Sequence, residues 1–341
     1  MKGVVKYARG DGNVELREMP EPELVPGHVL VEVAACGICG TDLHILHDEY
    51  PTRPPVILGH EMGGTIVDVA SDVENARAGD RVTAIPYSYT CGECRSCRSG
   101  RINLCPHRLS FGSGVDGAMT RWLVVPARNL YKLPPNVDTV TGAMTEPLAC
   151  CVRGILDFAR PMPGDVVVVS GPGPIGLFSA MVAKVTGATV VVLGLSMDQR
   201  RLDIARQIGI RHVLDVQETD AAAYVNDLTG GVGADVVVEC AGAEKSAQTC
   251  LEVVARGGKY VQIGLFGRPV RFDLTQVAMR EVSVAGPFAT LPSTWERTLR
   301  LLADGLVDPR LVLTEVLPLD QWAEGFKKAE AKDAGKIALQ P

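Results

Sequence analysis

The chain has 341 residues, a formal net charge of −6 and only 5% aromatic residues, and this length accommodates two domains of ordinary size. An acidic chain without blocks of like charge excludes an electrostatic footprint for DNA, RNA or an anionic membrane, so we expect neither a nucleic-acid nor a membrane partner. Ten cysteines without an apolar export signal favour a reducing compartment, and we expect a cytoplasmic protein.

The first part of the chain carries the signals of short β-strands. His28 to Ala34 alternates apolar and polar residues, as a half-buried strand does. Further strands are predicted at Gly64–Val69, Arg81–Ile85 and Arg121–Val125, with glycine and proline between them and no long amphipathic helix. The pattern predicts a small, irregular β-domain.

The stretch CGICGTDLHILHDEYPTRPPVILGHE, from Cys36 to Glu61, holds the residue types that a catalytic zinc site needs. A thiolate from Cys39 and an imidazole from His60 can bind the metal, Glu61 can be a third ligand or orient one, and one position stays open for water or substrate. The alternative is a buried, apolar cysteine and a hydrogen-bonded turn histidine. Either residue alone favours that alternative, whereas the joint pattern favours a metal site.

A second cysteine cluster, CGECRSCRSGRINLC, lies at about residues 88–110. Four thiolates can enclose a tetrahedral ion and leave no open position, which describes a structural zinc lobe. Two alternatives stay open: a 4Fe–4S cluster, for which the gap to the last cysteine is long, and a nucleic-acid-binding zinc knuckle, which the acidic chain disfavours. The cluster consists of Cys91, Cys94, Cys97 and Cys105.

The second domain opens with a valine-rich run, Asp165 to Gly171, that predicts a strand buried on both faces. The glycine-rich turn GPGPIG follows, and then an apolar helix. A G-x-G-x-x-G sequence between a buried strand and a helix indicates a dinucleotide site, with the phosphates at the helix N-terminus. Later strands are predicted at Thr189–Leu193, His212–Val216, Asp235–Cys240, Lys259–Gly264 and Glu281–Ala285, with helical stretches such as Asp198–Gln207 and Lys245–Ala255 between them. Six strands alternating with helices predict a doubly wound parallel sheet.

The residues after the second strand bear on the choice of cofactor. NAD-specific sites usually carry an acid there, and the expected position holds Gly194. Ser196, Arg200 and Arg201 follow, and arginine suits a 2′-phosphate, so we expect NADP to be preferred over NAD. The alternative is that both arginines are surface residues and that Asp198 replaces the missing acid. The residues expected to contact the cofactor are Gly171, Gly173, Pro174, Ile175, Gly176, Gly194, Ser196, Arg200, Arg201 and Gly264.

Together, the motifs GICGTD, GHE, CGECRSC and GPGPIG resemble those of the zinc-containing medium-chain alcohol and polyol dehydrogenases, in the same order and over nearly the whole chain. The resemblance implies a GroES-like, β-rich catalytic domain and a Rossmann domain with a six-stranded parallel sheet. It implies residues 1–156 for the catalytic domain, 157–287 for the nucleotide domain, and a return to the catalytic domain over 288–341. It also implies a homotetramer or homodimer.

The resemblance assigns roles to individual residues and implies two zinc ions per chain, one catalytic and one structural. Glu146 matches the place of a further ligand to the catalytic zinc, and either Glu146 or Glu61 can complete its shell with Cys39 and His60. Thr41 would take the hydroxyl proton and pass it, through the nicotinamide ribose, to His44. The alternatives are a solvated Glu146 and a plain surface histidine at His44.

The expected function is a zinc-dependent alcohol dehydrogenase. Zinc would act as a Lewis acid on a polyol, sugar alcohol or other small secondary alcohol, and hydride would pass to NAD(P). One alternative is L-threonine 3-dehydrogenase, which shares the same motifs. The other is a non-catalytic NADP-binding sensor or regulatory protein, against which the retained Cys39, His60 and Glu61 argue.

Overall fold

The computed structural model describes residues 1–332 and 334–341. They form two compact units. The first unit contains Met1–Glu146, Thr290–Gly305 and Leu313–Pro341, and the second contains Pro147–Ala289 and Leu306–Val312. None of the helices in the described residues combines the length and the apolar character that a membrane span requires.

Strands occur throughout the described residues and are mostly short. In chain order they are β1 (Lys2–Lys6), β2 (Val14–Glu18), β3 (His28–Gly37), β4 (Val56–Ile57), β5 (Glu61–Val69), β6 (Arg81–Ala84), β7 (Tyr87–Tyr89), β8 (Leu109–Ser110), β9 (Trp122–Pro126), β10 (Leu130–Lys132), β11 (Val166–Ser170), β12 (Thr189–Gly194), β13 (His212–Asp215), β14 (Ala234–Glu239), β15 (Val254–Gln262), β16 (Ser283–Ala285), β17 (Leu313–Pro318) and β18 (Lys336–Gln340).

The longer helices lie in the second half of the chain. The helices are α1 (Gly40–Leu46), α2 (Arg95–Arg98), α3 (Thr139–Gly142), α4 (Thr145–Val152), α5 (Pro174–Val185), α6 (Gln199–Gln207), α7 (Ala221–Thr229), α8 (Glu244–Val253), α9 (Leu274–Met279), α10 (Pro292–Ala303) and α11 (Trp322–Glu330). A π-helical stretch, Arg153–Ala159, continues α4.

The first unit is organised by a seven-stranded sheet in the order β10-β6-β5-β3-β18-β17, with β9 also paired to β3. Strand β3 alternates as its sequence predicts: Val29, Val31 and Val33 are buried, and the residues between them are partly exposed. The C-terminal strand β18 runs antiparallel to β3, with Ala338 opposite Gly37. This pairing sets the end of the chain beside the strand that leads into Cys39.

The second unit contains a six-stranded parallel sheet in the order β13-β12-β11-β14-β15-β16. Its central strand β11 is the valine-rich run, and Val167, Val168 and Val169 are fully buried. The predicted doubly wound sheet is confirmed. The strand order reverses between β11 and β14, and open α/β sheets bind ligands beyond the carboxyl ends of the strands at such a point.

Some element ends differ from the predicted ones. Helix α8 ends at Val253, and β15 already begins at Val254, before the predicted strand start at Lys259. The early part of β15 contains Gly257 at φ 73°, and its pairing with β14 shifts register there. A strand interrupted by glycines lacks the alternation on which the prediction depends, which explains the difference.

Candidate metal and dinucleotide sites

Three predicted ligands meet in the first unit. Cys39 stands at the N-cap of α1, His60 directly precedes β5, and Glu61 is the first residue of β5. One ligand atom from each lies within 4.8 Å of the others. A thiolate, an imidazole and a carboxylate at this spacing match the protein ligands of a catalytic zinc site with an open fourth position.

The polar neighbours of these residues hold them in place. Asp42 is fully buried, and its Oδ2 accepts a hydrogen bond from the Cys39 amide at 2.8 Å. The other oxygen, Oδ1, lies 3.9 Å from His60 Nδ1. The Cys39 thiol donates to Thr41 Oγ1 at 3.6 Å. Asp42 therefore fixes the helix start that carries Cys39, while its buried Oδ1 makes no hydrogen bond and faces the His60 ring.

The acceptors outnumber the cations here, which fits a bound metal ion. Glu61 Oε1 accepts from Lys336 Nζ at 2.6 Å, while Glu61 Oε2 is buried and has no hydrogen-bond partner. Burial lowers the pKa of His60, but Cys39, Asp42 and Glu146 outweigh burial and raise this pKa well above 6.5. A buried carboxylate oxygen without a donor is costly, and a cation at this point would satisfy it.

Glu146 and His44 lie outside the three-residue group. Glu146 is buried in the first turn of α4, near enough to raise the pKa of His60, but its carboxylate does not belong to the set of ligand atoms within 4.8 Å. His44 is in the last turn of α1, with Nδ1 at 2.7 Å from Glu49 Oε2. Sequence reasoning missed Lys336, because a lysine at the start of an apolar strand carries no motif.

The second cysteine cluster also comes together. The ligand atoms of Cys91, Cys94, Cys97 and Cys105 lie within 4.8 Å of one another. The Sγ atoms of Cys91 and Cys105 are 3.6 Å apart, far beyond a disulfide bond. Backbone N–H groups of Cys94 and Glu93 lower the pKa of Cys91 to about 6. Amide groups donate to three of these sulfurs, and four cysteine ligands this close together match the ligand set of a structural zinc site.

The glycine-rich turn in the second unit has the geometry of a phosphate-binding turn. Gly171 has φ +98°, which favours glycine, and Gly173 is the N-cap of α5 with open space where a side chain would stand. A Cβ on Gly176 would collide with the Gly171 carbonyl. Pro174 and Ile175 begin α5, so the helix N-terminus faces the open position.

The residues after β12 differ in their availability to a cofactor. Ser196 and Arg200 are exposed, whereas Arg201 is buried with its guanidinium 4.0 Å from the Asp198 carboxylate. The Ser196 hydroxyl donates to Asp215 Oδ2 at 2.5 Å. Asp215 ends β13 opposite Gly194, and sequence reasoning missed it because the pairing of two strands has no local signal.

Gly264 follows β15 and lies against Glu239. An added Cβ at Gly264 would stand 2.6 Å from Glu239 Oε2. The glycine-rich turn follows β11 and Gly264 follows β15, so both lie at the carboxyl edge of the parallel sheet, on either side of β14.

Comparison with known proteins agrees with this arrangement. Residues 25–135 match the alcohol dehydrogenase GroES-like domain, and residues 174–304 match the zinc-binding dehydrogenase domain. The chain is 39% identical to a sorbitol dehydrogenase from Halalkalibacterium halodurans, over 100% of this chain and 99% of the relative. It is 35% identical to a D-arabitol-phosphate dehydrogenase from Enterococcus avium, over 100% and 97%. It is 33% identical to an L-threonine 3-dehydrogenase from Bacillus velezensis, over 100% and 99%.

A solved structure is similar over the whole chain. It is a zinc-binding dehydrogenase from Sinorhizobium meliloti 1021 bound to NADP, with a TM-score of 0.91 and 32% identity, covering 100% of this chain and 99% of that one. Fold and site together define a nucleotide-dependent oxidoreductase that acts on CH–OH groups. The chain belongs to the zinc-containing medium-chain dehydrogenase family, which confirms the resemblance and the GroES-like and Rossmann folds.

Proposed function

We propose that the protein is a zinc-dependent alcohol dehydrogenase that moves a hydride between NAD(P) and a polyol, sugar alcohol or other small secondary alcohol. The observation that carries the proposal is the Cys39–His60–Glu61 group, whose ligand atoms lie within 4.8 Å and which includes a buried carboxylate oxygen without a donor. The polyol dehydrogenases among the relatives favour this substrate class.

In this proposal Cys39, His60 and Glu61 hold the catalytic zinc. Glu61 is favoured over Glu146 as the third ligand, because only Glu61 joins the group of close ligand atoms. When bound, zinc supplies Lewis acidity toward the alcohol oxygen, and the nicotinamide supplies the hydride acceptor.

The chain's own residues handle the proton. Thr41, whose Oγ1 lies 3.6 Å from Cys39 Sγ, is proposed to take the hydroxyl proton of the substrate while it gives up its own hydroxyl proton toward His44. His44, one helical turn further along α1 and partly exposed, is proposed to release that proton to solvent.

We further propose a second, structural zinc in the cysteine lobe and a preference for NADP. Four cysteine ligands without an open position support the structural assignment. The absence of an acid at Gly194, and exposed Ser196 and Arg200, support a 2′-phosphate site. The burial of Arg201 moves the proposed phosphate contact to Arg200.

The first unit is proposed to be the catalytic domain and the second the nucleotide-binding domain, close to the expected division at residues 156 and 288. We also propose that the protein forms a homotetramer or homodimer and that it is located in the cytoplasm. All ten cysteines are free of disulfide bonds, which supports a reducing compartment.

The testing experiment is a panel of alcohols, polyols, sugars and L-threonine with NAD and NADP, followed by absorbance of the reduced nicotinamide. Turnover of polyols or secondary alcohols, lost in Cys39→Ala, is the expected result. A marked preference for L-threonine would favour the second candidate, L-threonine 3-dehydrogenase, which the 33% identical relative supports. Cofactor binding without turnover of any substrate would favour a non-catalytic sensor.

A further inference from the structure

A buried carboxylate closes the carboxyl end of β14. Glu239 is the last residue of that strand and is fully buried. Its Oε1 accepts hydrogen bonds from the Ala241 amide at 2.9 Å, the Gly242 amide at 3.0 Å and the Ser246 hydroxyl at 2.7 Å. Its Oε2 accepts from Gln262 Nε2 at 2.5 Å. One side chain thus binds two amides of the loop after β14, a residue of α8 and the end of β15.

The donors around Glu239 are all neutral. Within residues 1–332 and 334–341, no lysine, arginine or histidine forms an ion pair with this carboxylate. Burying a carboxylate without a cation is unfavourable unless hydrogen bonds replace the lost water. Here those hydrogen bonds come mainly from loop amides, so the carboxylate and the loop conformation depend on each other.

The loops after β14 and β15 touch each other through their backbones. Gly242 has φ +62°, and a Cβ there would collide with the Leu265 carbonyl. Gln262 Nε2 donates to the Gly264 carbonyl at 2.8 Å as well as to Glu239. Gln262 therefore connects the carboxylate to the second loop.

The same loops reach the glycine-rich turn. A Cβ on Gly171 would stand 2.7 Å from the Ala241 nitrogen, so Ala241 packs directly against the turn. The amide of Cys240 donates to the Ser170 carbonyl at 2.9 Å, at the point where the strand order reverses. Ligands of open α/β sheets bind beyond the strand ends at this reversal.

We propose that Glu239 is a positioning residue for the nicotinamide cofactor. It holds Ala241 and Gly242, and through Gln262 also Gly264, in the arrangement that the cofactor meets beyond the ends of β11, β14 and β15. The inference rests on the proposed function, because it assigns these loops to the cofactor site of the second unit.

The test is the near-isosteric change Glu239→Gln, read out by direct binding of NADH and NADPH through the fluorescence of the reduced nicotinamide. An amide NH₂ cannot accept a hydrogen bond, so the variant loses either the bond from Gln262 Nε2 or the bonds from the loop N–H groups. Both the dissociation constant and the KM for the cofactor should rise about tenfold. The KM for the alcohol should stay within about twofold, since binding energy is lost only toward the cofactor.

Two further variants separate positioning from stability. Val237→Ala truncates a buried core residue of the same strand without touching the loops, and should lower the thermal midpoint while leaving cofactor affinity unchanged. Gln262→Ala removes the link to Gly264 and should weaken cofactor binding about threefold or more. If Glu239→Gln does not accumulate as folded protein, Gln262→Ala decides the question.

The outcomes distinguish the inference from the proposed function. Unchanged cofactor affinity in Glu239→Gln, or in Gln262→Ala when the first variant does not fold, would overturn the positioning role. An equal loss of cofactor affinity in Val237→Ala would also overturn the positioning role. If the wild-type protein binds cofactor but oxidises no alcohol, the proposed function fails while the binding data still decide the role of Glu239. A wild-type protein that binds neither cofactor would overturn both.

Discussion

The ammonium group of Lys336 lies 2.6 Å from Glu61 Oε1, and both side chains are buried. The second oxygen of the same carboxylate, Oε2, is buried without a donor. Lys336 therefore balances the charge of Glu61 from one side and leaves the other oxygen available to a cation. Removing one partner of a buried ion pair leaves an uncompensated charge, which is costly.

Lys336→Met should lower the free energy of unfolding by about 3–5 kcal/mol, measured by urea denaturation. Lys328→Met is the matched control, because Lys328 also pairs with a carboxylate, Glu315 at 2.7 Å, but at a partly exposed site. The control should lose much less stability. Equal stability of Lys336→Met and the wild type would mean that the pair contributes nothing to the site.

Replacing each of the two candidate carboxylates with glutamine in turn should separate their roles. Glu61→Gln removes a charged member of the close ligand group, so the protein should lose about one zinc equivalent, measured by elemental analysis, together with its turnover. Glu146→Gln should keep its zinc, because Glu146 lies outside that group. Loss of zinc in Glu146→Gln alone would reverse the assignment.

The parts of this protein that the sequence predicts are those with local signals. The valine run of β11, the glycine-rich turn and the Cys39–His60–Glu61 pattern all lie within short stretches of chain. Lys336 is separated from Glu61 by 275 positions, and its neighbours read as an ordinary strand. Similarly, Asp215 approaches Ser196 only because β12 and β13 pair in one register. Such contacts depend on strand order, which periodicity does not specify.

Replacing a cysteine of the closed cluster should reduce both metal content and stability. Cys94→Ser removes one of four ligands, so we expect loss of one zinc equivalent and a lower thermal midpoint, because metal binding in a closed site is coupled to folding. Cys150→Ser, outside both ligand groups, should keep the full zinc content. Iron with a broad visible absorbance in the wild type would contradict the zinc assignment.

His47 should make part of the stability depend on pH. Its Nε2 lies 2.6 Å from Glu330 and its Nδ1 2.9 Å from Asp11, and these hydrogen bonds raise the pKa of His47 above 6.5. Because the folded-state pKa is raised, the stabilisation that His47 contributes is fully present below pH 6.5 and is lost as the pH rises through the folded-state pKa. The effect should be small, since the side chain is 44% exposed.

The measurement is the difference in thermal midpoint between the wild type and His47→Gln across this pH range. The difference should shrink as the pH rises above 6.5. In a background with Asp11→Asn and Glu330→Gln, the difference should not vary with pH. A difference that grows with pH would contradict the assigned ion pairs.

The choice of cofactor should depend on Arg200 and not on Arg201. Arg200 is exposed after β12, whereas Arg201 is buried beside Asp198, so of these two arginines Arg200 is the one that a 2′-phosphate can approach from solvent. Loss of one charge-assisted contact corresponds to roughly a ten- to hundredfold change in kcat/KM. Arg200→Ala should therefore lower kcat/KM with NADP by that factor and leave kcat/KM with NAD nearly unchanged. Arg201→Ala should lower the thermal midpoint and affect both cofactors alike.

A substitution at Arg200 tests the choice between NADP and NAD better than a substitution at Gly194. A Cβ on Gly194 would stand 2.7 Å from a Leu202 methyl and 2.8 Å from the Pro172 ring, so Gly194→Asp would disturb packing as well as charge. The Ser196–Asp215 hydrogen bond already places a carboxylate near this position, and that charge opposes a 2′-phosphate. If the wild type prefers NAD and Arg200→Ala does not change kcat/KM with NADP, the charge of Asp215 outweighs that of Arg200 and the enzyme is NAD-dependent.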